Sequence, residues 1–452
     1  MAVADPARAS REPEPAPQAS PLAPPGSRLP RPLSALLFLV AAQPTLRMLQ
    51  RRHGDLFSVW TPVFGEVAVA ASPELVKRVF QASPEVLSFG ETSPLGEILG
   101  QGSLFAMDDA RHLRERRVIL PAFHGERMRG YEGVIEEEAR REMAGWAEGE
   151  EFPTLPSFMR ITLAAILRTV FGAQGEDASE LASVLPPLVT IGSRLALLRP
   201  LRRDLGSRSP GGRFRRLRAR YDAIVERLID AGRADPALES REDVMAMLMR
   251  AHYDDGSGMS RTAIADELLT LLAAGHETTA TTLAWGVERL RRHPDVLSRL
   301  AEEARTGEGR ELRVATIHEL QRSRPVVPAT SRCARNDFPL GGWTVPRGRQ
   351  IIVSASLIHG DPRFFADPGR FDPGRFLVRG SDTYTWIPFG GGTRRCPGAA
   401  FAHMEMDIVL RTLLREFTLE PTRRRGERLR DRGIANAPAR GGLAVVHRRR
   451  AG

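Results

Sequence analysis

Cysteine is nearly absent from this sequence. Only Cys333 and Cys396 occur among 452 residues, so a disulfide framework is not implied. Such sparing use of cysteine fits a reducing compartment, and we therefore expect a cytoplasmic protein. Because Cys396 stands in a glycine-rich stretch, it is the cysteine that is better placed to act as a ligand.

Lysine is scarcer still, since Lys77 is the only one in the chain. The formal net charge of +10 therefore comes almost wholly from arginine, a skew typical of coding bias. No zinc-finger spacing and no interleaving of aromatic and basic residues accompanies it, so we expect no nucleic-acid partner. A basic face that binds an acidic protein partner is the better interpretation.

Long apolar runs are also missing. The longest one near the N-terminus, residues 33–42, has about half of the ~20 residues that a membrane-spanning helix needs. It predicts a short buried or surface-lying helix, and we expect no membrane span. Residues 1–30 before it are rich in Pro and Ala and predict a disordered tail. The remaining residues, 31–452, are expected to form a single domain, since 42% hydrophobic content supplies an ample core.

One arginine-rich segment has two interpretations. Residues 199–220 carry nine arginines against a single acid, Asp204. The favoured interpretation is a solvated loop and helix face. The other is a membrane-surface or substrate-access region.

Helical periodicity dominates the chain, and the predicted fold class is mainly α with a small β region (α+β). Ser260 is a good N-cap for a long helix that His293 and Pro294 end. Alternating apolar residues predict a hairpin over 56–71 and short strands at 331–334, 342–345, 350–354 and the C-terminus. The principal helices are predicted at 73–81, 108–120, 126–147, 157–172, 178–195, 211–232, 260–292, 311–323 and 397–416.

The segment around Cys396 is the most informative. It reads Phe-Gly-Gly-Gly-Thr-Arg-Arg-Cys-Pro-Gly from Phe389 to Gly398. Three glycines let the backbone adopt positive φ and approach a flat ligand, and Pro397 is suited to the first turn of a helix. A helix N-terminus there would favour a thiolate. The alternative is a buried structural cysteine beside a turn.

A second informative segment lies within the long predicted helix. Residues 274–279 read Ala-Gly-His-Glu-Thr-Thr in an otherwise apolar run. A glycine costs about 1 kcal/mol in a helix interior, so Gly275 should have a reason, such as close approach of a flat ligand or O₂. Thr278 can donate to a carbonyl of the preceding turn and open the helix locally. The alternative is a harmless glycine beside a buried Glu-Thr pair.

Together these segments resemble the cytochrome P-450 family, and the resemblance covers about 54–442. Phe-x-x-Gly-x-Arg-x-Cys-x-Gly, from Phe389 to Gly398, resembles its haem-binding signature. The resemblance implies a helix-rich triangular prism that holds haem b between the long central helix and the cysteine-loop helix. It also implies that Cys396 is the iron ligand, that Phe389 packs near the sulfur and that Arg394 pairs with a propionate. Glu277 and Thr278 resemble the acid and alcohol that deliver protons for oxygen activation.

Further residues match the family's motifs. His112 and Arg116, four apart on the charged helix 108–120, and Arg332 resemble its propionate ligands, although many relatives have Trp where His112 stands. His359 is a weaker candidate. Glu319 and Arg322 resemble its Glu-x-x-Arg pair, which is joined by an arginine, here Arg375 of Pro-Gly-Arg-Phe; the role implied is structural. We also expect a shortened surface element between Pro294 and Glu319, with the usual connecting helix trimmed to 306–309.

The resemblance implies insertion of one O₂ atom into a C–H bond. Only 56 residues follow Cys396, too few for a redox domain, so electrons are expected from an acidic ferredoxin and its NAD(P)H-dependent reductase. Arginines of 108–120 and 394–395 would form the docking face. The expected substrate is lipophilic, a fatty acid or terpenoid. Its candidate walls, about half of which could be plain core, are Phe89, Leu95, Ile98, Leu99, Leu271, Ala274, Val326, Val327 and Asn436.

Two alternatives to this reaction remain open at the level of sequence. One is a haem-thiolate peroxygenase or isomerase, which would have no need of Glu277 and Thr278. The other is a non-catalytic haem-binding protein, which would need neither Thr278 nor a redox-docking face.

Overall fold

A computed structural model describes residues 22–27, 29–90, 93–378, 382–433 and 435–449. Helices dominate these residues, as predicted. The longer helices are α1 (Arg31–His53), α2 (Pro73–Gln81), α4 (Asp109–Ile119), α5 (Glu126–Met143), α6 (Leu155–Thr169), α7 (Gly175–Leu197), α8 (Pro210–Ala234), α10 (Arg261–Leu290), α11 (Pro294–Thr306), α12 (Glu311–Ser323) and α15 (Ala399–Glu416). The shorter ones are α3 (Gly96–Leu99), α9 (Val244–Arg250), α13 (Ala355–His359) and α14 (Gly374–Val378).

The β portion is small and lies mostly in one five-stranded sheet, whose order is β1-β2-β8-β5-β3. The predicted hairpin is confirmed, because β1 and β2 pair antiparallel from Leu56–Ala70 to Thr61–Gly65. β8 pairs parallel with β2 and antiparallel with β5. The strands are β1 (Leu56–Thr61), β2 (Gly65–Ala70), β3 (Leu87–Ser88), β4 (Phe152–Pro153), β5 (Ala329–Ala334), β6 (Phe338–Leu340), β7 (Trp343–Val345), β8 (Gln350–Ser354), β9 (Phe417–Leu419), β10 (Leu429–Asp431), β11 (Asn436–Pro438), β12 (Leu443–Ala444) and β13 (Val446–Arg448).

Local capping chemistry explains where the best-predicted helices begin. The Ser260 hydroxyl accepts from the Ala263 N–H at the start of α10, and Ser72 does the same for Leu75 in α2. α10 then runs through the main core, where it packs against α6, α15 and β11. It therefore brings one face of the Ala274–Thr279 segment, with buried His276 and Thr279, against the core.

Several helices differ from the prediction, and α3, α9, α11, α13 and α14 are absent from the predicted set. α1 is longer than 33–42 and continues past a kink at Ala41, because Pro44 cannot donate to the preceding turn and clashes with it. α9 was not predicted at all. α11 forms a helix over Pro294–Thr306, and only residues 307–310 connect it to α12. The expected shortening of this segment relative to other family members stays a prediction.

The N-terminal tail is only partly described, since residues 1–21 and 28 lie outside the described residues. Gly26 forms a parallel bridge with Ser58, and the Ser58 N–H donates to Pro25 O over 2.7 Å. Among the described helices, no single one is long and apolar enough to cross a membrane. The two halves of α1 reach that length and apolarity only when they are taken together, and they are bent by 109° relative to each other.

Candidate functional site

The cysteine loop is held against α2 by its glycines. The Cys396 N–H donates to Phe389 O over 3.0 Å, which closes the loop. Gly390 and Gly392 both have φ of +65°, a region that favours glycine. A Cβ on Gly391 would lie 2.2 Å from the Phe80 ring, and one on Gly392 would lie 2.2 Å from Phe80 O. The close approach that these two glycines permit is therefore to α2.

Opposing influences act on the pKa of the Cys396 thiol. Burial raises its pKa, whereas the Gly398 N–H and the positive charges of Arg116 and Arg395 lower it. α15 begins at Ala399, not at Pro397 as predicted, so the sulfur lies a turn before the helix. The helix N-terminus therefore acts on the thiol mainly through the Gly398 N–H. Burial remains the largest influence on the pKa of Cys396.

Cationic side chains converge beside this loop. Arg394 donates to Leu104 O over 3.0 Å, to Met107 O and to the Asp108 carboxylate. Arg332 is buried and donates to Gly391 O over 3.2 Å. Burial and the charge of Arg394 lower the pKa of Arg332 to about 10. Arg116 is half-buried and is near enough to Cys396 for each to shift the other's pKa.

His112 lies within the same cluster. It is buried on α4, and burial together with the charges of Arg394, Arg116 and Arg332 lowers its pKa to about 3. The imidazole is therefore neutral at pH 7 and has one N–H to donate. The structure thus brings together all four residues that the sequence predicted to bind a dianionic group.

The Ala274–Thr279 segment is helical throughout. The Thr278 hydroxyl donates to Ala274 O over 2.7 Å, the bond expected from the sequence. α10 is continuous here, so the expected local opening of the helix is not found. Ala274 is exposed and Thr278 half-buried, while His276 and Thr279 on the other faces are buried. Glu277 pairs with Arg432, whose Nε lies 2.7 Å from Oε1.

Comparison with known proteins decides the family. A sequence model of the cytochrome P450 family matches residues 24–445. The chain belongs to the cytochrome P450 family. It is 51% identical to cytochrome P450 138 of Mycobacterium tuberculosis over 428 residues. The matched region covers 94% of this chain and 96% of that protein. It is 38% identical to cytochrome P450 135B1 of the same organism, over 92% of this chain and 90% of that one.

Solved P450 structures share the fold. The retinoic acid-bound cyanobacterial CYP120A1 superposes with a TM-score of 0.82 at 23% identity, over 95% of this chain and all of that one. The haem domain of cytochrome P450DA gives 0.81 at 22% identity, over 96% and 98%. The predicted fold class is thereby confirmed, and the family makes the chain a haem-thiolate monooxygenase in general terms.

The residues of this P450 fit haem b. Arg116, Arg332, Arg394 and the neutral His112 lie close together. Asp108, which pairs with Arg394, supplies a carboxylate to this cluster. Burial depresses the pKa of Arg116, Arg332 and Arg394, so this cluster favours an additional anionic group. Two propionates supply that charge, and arginine binds carboxylates through paired N–H groups. Cys396 beside this cluster is the type of ligand that haem-thiolate proteins use.

A buried ionic node ties α12 to the stretch 359–375, which precedes the cysteine loop. The Arg322 guanidinium donates two hydrogen bonds to the Glu319 carboxylate, over 2.6 and 2.7 Å. Both side chains are almost fully buried. Arg322 also donates to His359 O over 2.8 Å. Arg375 Nε lies 3.1 Å from Glu319 Oε2, an ion-pair contact without hydrogen-bond geometry. The contacts of this trio fit the structural role expected for it.

His359 belongs to this node and not to the cation cluster. Its Nε2 accepts from the Ile387 N–H over 3.0 Å. Burial lowers its pKa to about 3. The weaker propionate candidate therefore supports the chain that leads into the cysteine loop.

We expect Glu319→Gln to destabilise the holoprotein by about 3–5 kcal/mol, because it leaves the buried Arg322 charge without its partner. Denaturant-induced loss of haem absorbance measures this. The matched control is Glu302→Gln, since Glu302 and Arg305 form a pair of the same spacing on the surface, and it should leave the midpoint unchanged. Equal midpoints for the two variants would contradict the structural role of Glu319.

The residues predicted to line the substrate site lie in different surroundings. Leu99 and Val326 are buried in core clusters, and Ile98 packs with Leu195 and Ala196. Phe89 lies under Arg394 and Arg332, so it contacts the cation cluster. Asn436 is tied by its backbone to Val326 O and Trp285. The partly or fully exposed candidates are Leu95, Leu271, Ala274 and Val327.

Several polar residues near the site were missed from sequence. Arg432 pairs with Glu277 from the β10–β11 turn, far along the chain. Thr162 Oγ1 lies 3.1 Å from His276 Nδ1 and also donates to His276 O. An added Cβ on Gly275 would lie 3.2 Å from Ile166 Cδ1, so this glycine permits close packing of α10 on α6. Only the charge of Arg432 offered a signal in the sequence, and many arginines share it.

Proposed function

We propose that this P450 inserts one atom of O₂ into a lipophilic small molecule, such as a fatty acid or terpenoid, with electrons from a separate ferredoxin and its NAD(P)H-dependent reductase. The observation that carries the proposal is the convergence of His112, Arg116, Arg332 and Arg394 beside Cys396. A cytoplasmic location is part of the proposal and is supported by the sparing use of cysteine, two residues among 452.

Each residue around Cys396 has a distinct role in this proposal. The haem, when bound through Cys396, supplies the oxygen-activating chemistry, and the thiolate donates electron density that favours O–O cleavage. Burial raises the pKa of the Cys396 thiol, and a bound metal ion would favour its thiolate form. Arg332, Arg394 and Arg116 would neutralise the propionates of the haem, and His112 would donate one hydrogen bond to them. Phe389 contributes its carbonyl to the loop that orients the sulfur.

Glu277 and Thr278 are assigned to proton delivery. Thr278 keeps its hydroxyl oxygen available to accept a second hydrogen bond while it donates to Ala274 O. Glu277 is partly shielded, and Arg432 holds its carboxylate in one position. A carboxylate that exchanges protons with solvent and a hydroxyl that orders water beside the exposed Ala274 form a relay of the kind that general acid catalysis needs. This pair favours a monooxygenase over a peroxygenase or isomerase.

The lipophilic substrate class is supported by the partly exposed apolar side chains on α10 and its neighbours. Leu271 and Ala274 on α10, together with Leu95 and Val327, leave apolar surface accessible. Binding sites lined mainly by apolar side chains favour apolar ligands.

The docking face for ferredoxin is narrower than the sequence suggested. Arg395 is exposed, and no carboxylate lies within 4 Å of it in the described part of the chain. Arg116, like Arg395, lies near Cys396. Arg114 and Arg117 instead lie on the side of α4 that faces Asp255 and Asp254. We therefore assign the docking face to Arg116 and Arg395.

Arg395→Glu is expected to raise the KM for ferredoxin by about tenfold at low ionic strength, because it reverses a charge at the docking face. The kcat at saturating ferredoxin should change little, and added salt should shrink the difference. Steady-state reduction at varied ferredoxin concentrations measures both. Arg114→Glu is the control and should leave KM unchanged; a similar rise in both variants would contradict the assignment.

Reconstitution with ferredoxin, its reductase and NADPH tests the function. Apolar candidates are first screened for the shift from low to high spin that follows displacement of water from the iron. The expected result is a product that carries one atom from isotopically labelled O₂. Turnover with peroxide alone would favour a peroxygenase, and spin-shifting ligands without any product would favour a non-catalytic haem protein.

A further inference from the structure

Two histidines meet where α12 packs on α15. The ring centroids of His318 of α12 and His403 of α15 lie 5.1 Å apart, and the ring planes are inclined at 44°. Two imidazole nitrogens that each lie about 2.0–2.1 Å from one tetrahedral zinc ion place their ring centroids about 5 Å apart. The spacing of this pair therefore matches that of two imidazoles which share one ion.

Trp386 supports both imidazoles. Its ring centroid lies 4.4 Å from that of His318 and 6.0 Å from that of His403. The Trp386 side chain is buried, and its Nε1 donates to His318 O over 3.1 Å. Because packing already holds the two rings in place, little conformational freedom would be lost when they bind an ion.

Gln321 sets the tautomer of His403. It follows His318 by three residues, so both project from the same side of α12. Gln321 Oε1 lies 3.1 Å from His403 Nε2. An amide oxygen only accepts, so Nε2 carries the proton and Nδ1 keeps a lone pair. Histidines that bind metal ions usually donate from their other nitrogen in this way.

The lone pairs of the two rings are accessible. His318 and His403 are half-buried, and within the described residues neither His318 nitrogen nor His403 Nδ1 makes a hydrogen bond. Burial lowers the pKa of His318. Burial, together with the charges of His318 and Arg395, lowers the pKa of His403 to about 4. Both rings are therefore neutral at pH 7, the form that binds a metal ion.

We infer that His318 and His403 bind one transition-metal ion, such as Zn²⁺, between α12 and α15, with water in the remaining coordination positions. Imidazole suits Zn²⁺, Cu²⁺ and Ni²⁺. In the part of the chain that the structure describes, no third histidine, cysteine or acid joins the pair. Mg²⁺ and Ca²⁺, which prefer oxygen ligands, therefore have no carboxylate to bind here. A cluster that served aromatic packing alone would not require buried Gln321 beside His403.

The site adjoins the cysteine loop. The His403 ring packs edge to face on Phe389, with the centroids 5.0 Å apart. A bound ion would join α12 to α15, the helix that follows the loop, and so we expect it to stabilise the folded holoprotein. Ion binding of this kind requires neither substrate nor ferredoxin, so its failure is distinct from failure of the proposed function.

Calorimetric titration of the untagged, full-length holoprotein with ZnCl₂ tests the site, and MgCl₂ is the comparison ion. The variants are His318→Phe and His403→Phe, each of which keeps an aromatic ring and removes the nitrogens. The control is His447→Phe, since His447 pairs with Glu420 at the surface. Haem absorbance confirms that each variant is folded.

The wild type is expected to bind one Zn²⁺ per chain, at least about tenfold more tightly than Mg²⁺. Each of the two site variants should lose about tenfold or more in zinc affinity, and the control should bind like the wild type. Zinc should also raise the denaturation midpoint of the wild type and of the control, but not of the site variants. Absence of saturable zinc binding by the wild type, or unchanged zinc affinity in either site variant, would overturn the inference.

Chemical modification of the wild type gives a second measurement that needs no variant. Diethylpyrocarbonate acylates accessible imidazole nitrogens, and peptide mass spectrometry follows each histidine separately. Zinc should slow the modification of His318 and His403 and leave that of His447 unchanged. Equal rates with and without zinc at His318 and His403 would overturn the inference as well.

Discussion

Cys396→His is expected to abolish monooxygenase turnover, by about 1000-fold or more, while the protein still binds haem. Turnover fails because a neutral imidazole cannot donate electron density to the iron as a thiolate does. Haem remains bound because His112, Arg116, Arg332 and Arg394 hold its propionates independently of the sulfur. Pyridine haemochrome content and turnover, measured on the same preparation, separate the two effects.

Cys333→Ala is the matched control for this substitution. Cys333 is buried in β5 and is the only other cysteine in the sequence. Its loss should leave turnover and the haem spectrum unchanged. If Cys333→Ala abolished turnover and Cys396→His did not, the ligand would be misassigned.

Thr278→Ala is expected to uncouple electron use from product formation. NADPH consumption should continue, while product per NADPH falls by about tenfold to a hundredfold, because the hydroxyl that orders the proton-donating water is gone. Thr278→Ser keeps a hydroxyl and should restore most of the coupling. Product and peroxide yields per NADPH are the measurement.

Thr282→Ala provides the control one turn later. Its hydroxyl donates to Thr278 O over 3.0 Å, the same type of bond that Thr278 makes to Ala274 O. If the bond within the helix were what mattered, both alanine variants would uncouple. We expect only Thr278→Ala to do so, and normal coupling in that variant would contradict the proton-delivery role.

The sequence predicted those helices that carry their own start and stop signals. α12 was predicted at its observed bounds, and Ser260 and Pro294 delimit α10 closely. α1 was underestimated because the prediction followed only the apolar run 33–42, whereas packing on β1 and α13 continues the helix beyond a kink. α9 is short and apolar on most sides, so it lacks the periodicity that identifies a helix.

The site was predictable where residues stand in a compact motif. Cys396, Phe389 and Arg394 lie within one loop, and Glu277 and Thr278 are neighbours on one helix. Contacts that depend on tertiary structure were not predictable. Arg432 reaches Glu277 from the β10–β11 turn, and Phe80 of α2 explains Gly391 and Gly392. The glycines were correctly expected to permit a close approach, but the neighbour turned out to be a phenylalanine of the protein itself.

The carbon monoxide difference spectrum of the reduced wild-type holoprotein decides whether a thiolate holds the iron. We predict a Soret band at about 450 nm, which a thiolate ligand produces. The sample must be shown to be folded, for example by a cooperative thermal transition. A band at about 420 nm in such folded protein would contradict ligation by the Cys396 thiolate.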